Sequence, residues 1–537
     1  MEQNTKNLIT LGHSPTGEAK IPRGVSHVTD ILEKFGFEAY LVGGCVRDLF
    51  MEREPKDWDI ATNAKPEQIV GLFEKTIYEN TFGTVGVCVP RETFQESVSQ
   101  ETSEYEIIEV TPYRIETKYS DFRHPDEVEF SDNVEDDLKR RDFTMNAMAL
   151  SSKGHLIDLF GGLKDIKDKT IKAVGDPNDR FTEDALRMLR AVRFACQLNF
   201  SVSYETMESI LKNSDLLKKI SGERIRDEFT KIIISENPSA GILMLQKFNL
   251  LKNIIPELEE GIGCEQSGEH IYDVWNHLLH AVQHAADKNW PLEIRLAALF
   301  HDIGKPRSRR FSEPVDNLSG PRISGSLSQP DRSKLSAGSS KKKYTFYGHE
   351  VVGAKMVKKI MERLKFSKKE IDLVEKLIYS HMFFSDTEVI TLSAVRRIIN
   401  KVGKENIWSL MNVRECDRVG MKKKEAPYRL RKYFAMIEEA LHDPISVGQL
   451  KIDGEFMIKN LKIAPGPRMG WILHALLEEV LDAPEKNTIE HLSELVKSLN
   501  MLGDHELRTL GERGKEKKEE LEEEEVAKLH EKHGVHK

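Results

Sequence analysis

Asp57 and Asp59 alternate around a tryptophan in Asp57-Trp-Asp59-Ile-Ala-Thr, downstream of Leu41-Val-Gly-Gly-Cys-Val-Arg-Asp48. A strand over Asp57–Ala61 would place both carboxylates on one face, with Trp58 and Ile60 on the other. Carboxylates a few ångströms apart repel each other unless a cation lies between them. The cation that takes hard oxygen ligands and also holds phosphate oxygens is Mg²⁺. Gly43 and Gly44 end an apolar run, Ala39 to Val42, and let the backbone come close to a triphosphate. The start of the next helix and Arg47 would attract the triphosphate's charge. These are the groups that nucleotidyl transfer needs.

Two further runs add charge of a suitable kind. Asp136-Asp-Leu-Lys-Arg-Arg-Asp-Phe-Thr-Met-Asn-Ala-Met148 brings Lys139, Arg140 and Arg141 beside carboxylates, and such cations stabilise a transferring phosphoryl group. Asp176-Pro-Asn-Asp-Arg-Phe-Thr-Glu-Asp-Ala-Leu-Arg-Met-Leu-Arg-Ala-Val-Arg193 reads as a helix capped by Thr182, with Glu183 and Asp184 in its first turn. On that helix Asp184 and Arg187 stand at i and i+3, neighbours on one face. The pair reads either as an ordinary intrahelical ion pair or as a base reader. An acceptor fixed beside a donor matches cytosine (N4 amino, N3) and adenine (N6 amino, N1). Uracil and guanine present the reverse order and would leave buried groups unpaired.

The glycine pair, the Asp-x-Asp run and Arg140-Arg-Asp-Phe-Thr-Met-Asn-Ala-Met148 resemble the class II tRNA nucleotidyltransferase (CCA-adding enzyme) and bacterial poly(A) polymerase family. The resemblance implies an α+β chain with a mixed β-sheet head followed by all-α neck, body, HD and tail domains. It implies Mg²⁺ on Asp57 and Asp59 as catalytic carboxylates. Glu109, the acidic residue before Val-Thr in Glu104–Arg114, would be a third. Nucleotide binding would fall to Gly43, Gly44, Arg47, Arg141, Asp184, Arg187, Arg190 and Arg193, with Asp184 and Arg187 reading the base. The implied reaction adds CCA to a tRNA 3′ end from CTP and ATP. Poly(A) polymerases carry a Gly-basic-basic-Phe run where this chain has Thr81-Phe-Gly-Thr-Val-Gly-Val87, which favours the tRNA branch. Residues 119–130 match a flexible segment that accompanies A addition in the family. An A-only adding enzyme or a poly(A) polymerase is the alternative.

A second constellation follows in His277, His301-Asp302 within Leu299-Phe-His-Asp-Ile-Gly-Lys305, His349, His381 and Asp417. The His-Asp pair opening Ile-Gly-Lys resembles the HD phosphohydrolase superfamily. Imidazoles and carboxylates together bind divalent metals and leave positions open for water. The resemblance makes His277, His301, Asp302 and Asp417 the core ligands, with His349 and His381 filling a two-metal version. The ion would be a divalent transition metal (Ni, Mn, Fe or Co). A reading of another class follows: an HD metal phosphohydrolase whose head is an inactive RNA-binding platform.

The elements that must position these residues alternate helix and strand across 22–150: helix Val25–Lys34, strand Ala39–Val42, helix Val46–Phe50, strand Asp57–Ala61, helix Pro66–Glu74, and strands Thr84–Val89 and Tyr105–Thr111. From Thr182 the 3- and 4-residue apolar spacing predicts helix almost throughout. The expected domains are a leader (1–21), the head (22–150), a neck and body that bind RNA and nucleotide (151–269), an HD domain (270–425), a helical segment (426–503) and a charged tail (504–537), either a solvated helix or disordered. Residues 307–343, rich in Ser, Gly and Pro between basic clusters, read as an exposed loop. With 39% apolar and 31% charged residues among 537, several cores can be buried. No apolar run is long enough to span a bilayer. Five scattered cysteines without a Cys-x-x-Cys pair point to reduced thiols and a cytoplasmic setting. The net charge of −9 counts against broad phosphate contact, although Lys422-Lys-Lys424 with Arg429, Arg431 and Lys432 makes a local basic stretch.

Overall fold

The computed structural model describes residues 21–78, 83–90, 105–117, 127–266, 270–312, 343–382, 391–421, 427–441, 448 and 450–532. Residues 118–126, most of the 307–343 stretch and Lys422-Lys-Lys424 lie outside these. The chain forms two compact units, residues 1–379 with 412–420, and residues 380–411 with 421–537.

The first unit begins with the head. Its strands are β1 (Ala39–Val42), β2 (Asp59–Thr62), β3 (Thr76–Tyr78), β4 (Val85–Pro90), β5 (Tyr105–Pro112), β6 (Arg114–Thr117), β7 (Glu127–Phe130), β8 (Met148–Ser151) and β9 (Leu156–Asp158). Seven of them make one sheet in the order β3-β4-β5-β2-β1-β8-β9, while β6 and β7 pair separately. Within the large sheet β2 and β5 are parallel and the other pairs antiparallel, so the sheet is mixed, as expected of an α+β head. Burial follows the strand period on β5, where Ile108 and Val110 are buried while Ile107 and Glu109 face out. Helices α1 (Arg23–Lys34), α2 (Gly44–Phe50), α3 (Pro66–Leu72), α4 (Val134–Lys139) and α5 (Gly162–Lys167) accompany the sheet. Val42, Ala61 and Ala149 from the sheet pack with Tyr113 and with Val134 and Leu138 of α4.

Helices then dominate the first unit: α6 (Pro177–Glu183), α7 (Leu186–Leu198), α8 (Tyr204–Asn213), α9 (Gly222–Ile233), α10 (Pro238–Lys247), α11 (Leu251–Ile254), α12 (Pro256–Glu259), α13 (Val274–Asp287), α14 (Leu292–Phe300), α15 (Lys305–Ser308) and α16 (His349–Arg363). Short strands β10 (Thr170–Ile171) and β11 (Ser201–Val202) pair in parallel. The ends of the stretch read as an exposed loop are ordered, with α15 running through Arg307 and Ser308. There β12 (Arg310–Ser312) pairs antiparallel with β13 (Lys343–Thr345), and the Phe311 ring meets Tyr344 edge to face.

Helix α17 (Lys368–Ser380) ends at the boundary between the units; α18 (Leu392–Val402) and the start of α19 (Ile407–Asp417) belong to the second unit. That unit continues with α20 (Pro427–Leu441), α21 (Gly454–Lys459), α22 (Pro467–Asp482), α23 (Ile489–Leu499) and α24 (Asp504–Lys532). Ile452, Met457, Ile472, Leu476, Leu492, Val496 and Leu507 form its own core. From Asp504 to Lys532 the charged tail is a helix, and its first turns are packed rather than solvated. A Cβ on Gly511 would lie 2.8 Å from Trp471 Cα, and one on Gly514 2.2 Å from the His474 carbonyl, so both glycines let α24 lie directly on α22.

Candidate active site

The turn from β1 into α2 is made by Gly43 at φ +76°. A Cβ there would meet Arg141 Nη1 at 3.0 Å and Asp59 Oδ2 at 3.5 Å, so glycine brings bare main chain against both groups. Asp59 opens β2, and its register partner on the parallel strand β5 is Glu109. Asp57 stands just ahead of the strand, exposed, with Trp58 buried after it. The expected strand thus starts two residues late, because β2 pairs with β1 only over Ile60–Thr62 before β1 leaves the sheet at the glycines. Burial and the Glu109 charge push the Asp59 carboxyl up to about 6, with Asp57 adding to the rise and Arg141 opposing it. Three carboxylates therefore crowd one corner, and their oxygens are the hard donors that a Mg²⁺ site uses.

Seven arginines and four aspartates line a cleft of about 530 Å³ around that corner. Most of the arginines are held by oxygen acceptors. Arg47 Nη1 donates to Asn146 Oδ1 at 3.0 Å. Arg140 and Arg141 grip opposite oxygens of the fully buried Asp137 at 2.6 and 2.9 Å. Burial would raise the Asp137 carboxyl, but the two guanidinium groups hold it below its usual value. Arg190 donates from Nε to Asp142 Oδ2 at 2.7 Å. Against the pull of burial it keeps Asp142 down at about 2. Side chains fixed in this way lose little freedom when an anion arrives.

The base-reading expectation needs correction in its geometry. Thr182 does not cap a helix; its hydroxyl donates to the Asn178 and Asp179 carbonyls inside α6. Asp176 caps α6 by accepting from Asn178 N at 2.8 Å. The helix breaks at Asp184 (φ −138°, ψ 104°), and α7 starts after Ala185. Asp184 and Arg187 therefore do not share one helix face. Asp184 Oδ1 accepts from Leu186 N at 3.0 Å, and its Oδ2 takes Arg224 Nη2 at 2.7 Å. Arg187 is held by Glu183 at 2.6 Å and by the Arg140 carbonyl at 2.9 Å. Both side chains nevertheless line the same cleft as Gly43, Gly44, Arg47, Arg141, Arg190 and Arg193.

A second group of ligating atoms lies among α13, α14 and the end of α19. His277, His301, Asp302 and Asp417 are all buried, and one ligating atom from each lies within 4.8 Å of the others. The two Nε2 atoms are 3.0 Å apart, with Asp302 Oδ2 at 3.3–3.4 Å and Asp417 Oδ1 at 3.6–3.7 Å. His349 Nε2 approaches the other Asp302 oxygen at 3.2 Å. The Ala298 carbonyl, 2.9 Å from His301 Nδ1, orients that ring with Nε2 toward the cluster. Burial opposes its charged form, yet Asp302 and Asp417 hold the His301 imidazole up to about 10. Lys305 and Arg414 flank the two carboxylates at 2.6 Å each. His381 is fully buried just past α17 and belongs to the second unit.

Residues 39–172 match the family model of the poly A polymerase head domain. Residues 199–262 match the family described as "Probable RNA and SrmB- binding site of polymerase A", and residues 268–422 the HD domain. The CCA-adding enzyme of Lactobacillus delbrueckii subsp. bulgaricus is 49% identical over 211 residues, 39% of this chain and 50% of that relative. The CCA-adding enzyme of Lactococcus lactis subsp. lactis is 42% identical over 245 residues, 45% and 58% respectively. The chain thus spans about half the length of the curated relatives it matches. The crystal structure of the Bacillus stearothermophilus CCA-adding enzyme in complex with CTP is similar at a TM-score of 0.54 and 23% identity, covering 89% of this chain and 97% of that one. It shares the fold.

Several side chains that hold the head domain's cleft together were not singled out from the sequence. Asp137, Asp142 and Asn146 sit inside the Asp136–Met148 run, where the carboxylates were read only as charge and Asn146 was given no role. Glu183 adjoins Asp184 and was placed only as a helix-start residue. Arg224 and Glu228 lie on α9 and carry no local signal. Their partners, Asp184 and Arg193, are supplied from across the fold.

Proposed function

We propose that the chain is a template-independent tRNA nucleotidyltransferase that adds CCA to the 3′ end of tRNA from CTP and ATP in the cytoplasm. The observation that supports this most directly is one cleft uniting Asp57 and Asp59 with the arginines of the head and with Asp184 and Arg187. The CCA-adding relatives, about half of whose length the chain spans, point the same way.

In this reading a divalent cation on Asp57, Asp59 and Glu109, when bound, neutralises triphosphate charge. Arg47, Arg141, Arg190 and Arg193 hold the phosphates and sugar. The tRNA 3′-hydroxyl oxygen bonds to the α-phosphorus, the bond to the bridging oxygen breaks, pyrophosphate leaves, and the hydroxyl proton passes to solvent. Each Asp184 oxygen already accepts one hydrogen bond and keeps a second acceptor position. That position receives the amino group of cytosine or adenine, while Arg187 donates to the neighbouring ring nitrogen. Two side chains then read C and A without a nucleic-acid template.

The test is gel-resolved extension of tRNAs ending before CCA, after C, and after CC, with the four nucleoside triphosphates offered singly and together. Addition of CCA followed by a stop is expected. Addition of A alone to the CC end would make it an A-adding enzyme, and a long A ladder a poly(A) polymerase. No addition would overturn the proposal.

The buried His277–His301–Asp302–Asp417 group supports a second activity at a separate site. We propose a metal-dependent phosphohydrolase there, taking a divalent transition metal, because imidazole nitrogens and carboxylates together suit such ions.

A further inference from the structure

Three of the cleft's arginines share one aromatic ring. The guanidinium carbons of Arg47, Arg190 and Arg193 lie 5.3, 5.4 and 4.1 Å from the centroid of Phe194. All three are inside the range of about 6 Å over which the negative face of a phenyl ring attracts a cation. Phe194 lines the cleft together with the three arginines, although only 7% of it is exposed. The fully buried Phe143 meets it edge to face with centroids 5.9 Å apart, which fixes the ring in place. Arg190 and Phe194 are four residues apart on α7, hence on one side of that helix. Arg47 arrives from α2 of the head.

Three like charges brought to one place repel each other. Burial pushes the Arg193 guanidinium down to about 10, and Arg190 and Arg47 add to the fall, while Glu228 and Asp142 oppose it. Each arginine has a carboxylate of its own: Asp48 at 2.8 Å from Arg47, Asp142 at 2.6 Å from Arg190 and Glu228 at 3.1 Å from Arg193. Those acids stand on three different segments, whereas the Phe194 ring is a contact that all three arginines share. The chemistry of the two kinds of partner also differs. A carboxylate takes up N–H donors on the guanidinium edge, the donors that a phosphate would use. A ring attracts the guanidinium without consuming donors or cancelling its charge.

We infer that Phe194 is a positioning residue that gathers Arg47, Arg190 and Arg193 into one polyphosphate cradle. The inference rests on the proposed function and adds to it a residue that carries no charge and makes no hydrogen bond through its side chain. The ring offsets part of the repulsion among the cations before a ligand arrives, so the donors are in place when the triphosphate enters. Its effect falls on the phosphates, which all four nucleoside triphosphates have in common, and not on the choice of base.

The test replaces Phe194 with mono-, di- and trifluorophenylalanine, which weaken the negative face of the ring in steps at nearly constant size, and with leucine, which removes the ring. Binding of inorganic tripolyphosphate in millimolar Mg²⁺ is read by calorimetry, and thermal melting reads the fold. The Kd should rise stepwise along the fluorinated series and on the order of tenfold in Phe194→Leu, with melting of the fluorinated chains unchanged. KM for CTP and ATP should rise together, with discrimination against UTP and GTP intact. Should Phe194→Leu not fold, the fluorinated series decides alone. An equal Kd along that series, even with a weaker Phe194→Leu, would mean that the ring only fills space and would overturn the inference, as would a wild-type chain that does not bind tripolyphosphate. A loss of base discrimination at constant Kd would overturn it as well. A chain that shows the stepwise Kd but adds no nucleotide would overturn the proposed function and leave the cradle standing as a polyphosphate site.

Discussion

With burial and Glu109 pushing it up to about 6, the Asp59 carboxyl favours folding most when protonated. Its contribution is complete below the unfolded value near 4 and is lost as pH rises through about 6. At pH 7.5 the ionised group therefore costs stability, on the order of 1–2 kcal/mol after allowance for its partial exposure. Asp59→Asn should melt higher than the unmutated chain in EDTA at pH 7.5 and add no nucleotide. Millimolar Mg²⁺ should raise the melting temperature of the unmutated chain only. Equal melting of the two in EDTA would show that the three carboxylates do not repel. Asp142 has the opposite sign. Held at about 2 by Arg190 against burial, it contributes stability that is present above pH 4 and lost as pH falls toward 2. Urea unfolding across that range should show a flatter acid limb in Asp142→Asn. Both aspartates were legible as members of motifs. Their opposite electrostatics were not, because Glu109 and Arg190 reach them through strand register and helix packing rather than through sequence proximity.

Among elements, the turn at Gly43 and the break at Asp184 do most to shape the cleft. Gly43→Ala would force a side chain into φ +76° and against Arg141. The backbone strain is about 1–2 kcal/mol, and steady-state kinetics should show KM for CTP and ATP raised together. An unchanged KM would mean that the triphosphate does not approach this turn. The glycine pair announced its turn in the sequence because an apolar strand ends there and a helix follows. The break at Asp184 gave no such notice. Thr182, Glu183 and Asp184 have the composition of a helix start, and only the preceding Asp176-Pro177 start of α6 moves the cap upstream. Strands β3, β8 and β9 also went unpredicted. Met148–Ser151 is buried on every residue, so a two-residue alternation cannot show in it. Among the described residues after α6 the helical character, interrupted only by the short strands β11, β12 and β13, was legible from the 3- and 4-residue apolar spacing, which tertiary packing reinforced rather than overrode.

Across the whole molecule, the net charge of −9 conceals a cleft with seven arginines against four aspartates, so the total predicted little about what binds there. The same chain buries a second set of ligating groups in the region that matches the HD domain. The cleft and this cluster draw on different side chains, and their chemistries should therefore separate by mutation. His301 belongs to the second site, where its Nε2 faces His277, Asp302 and Asp417, and it is not among the residues that line the cleft. His301→Gln keeps a polar side chain there but removes the imidazole donor, and it should weaken nickel or manganese binding on the order of 100-fold, read by chelator competition and by metal content after dialysis. Nucleotide addition should stay within about twofold, since a substitution outside the cleft leaves transition-state contacts in place. Asp59→Asn should do the reverse, losing addition and keeping the transition metal. If His301→Gln abolished addition while melting like the unmutated chain, the two sites would be energetically coupled. Helix α9, clamped by Arg295 of the helix that carries His301, would then be the element through which the coupling runs.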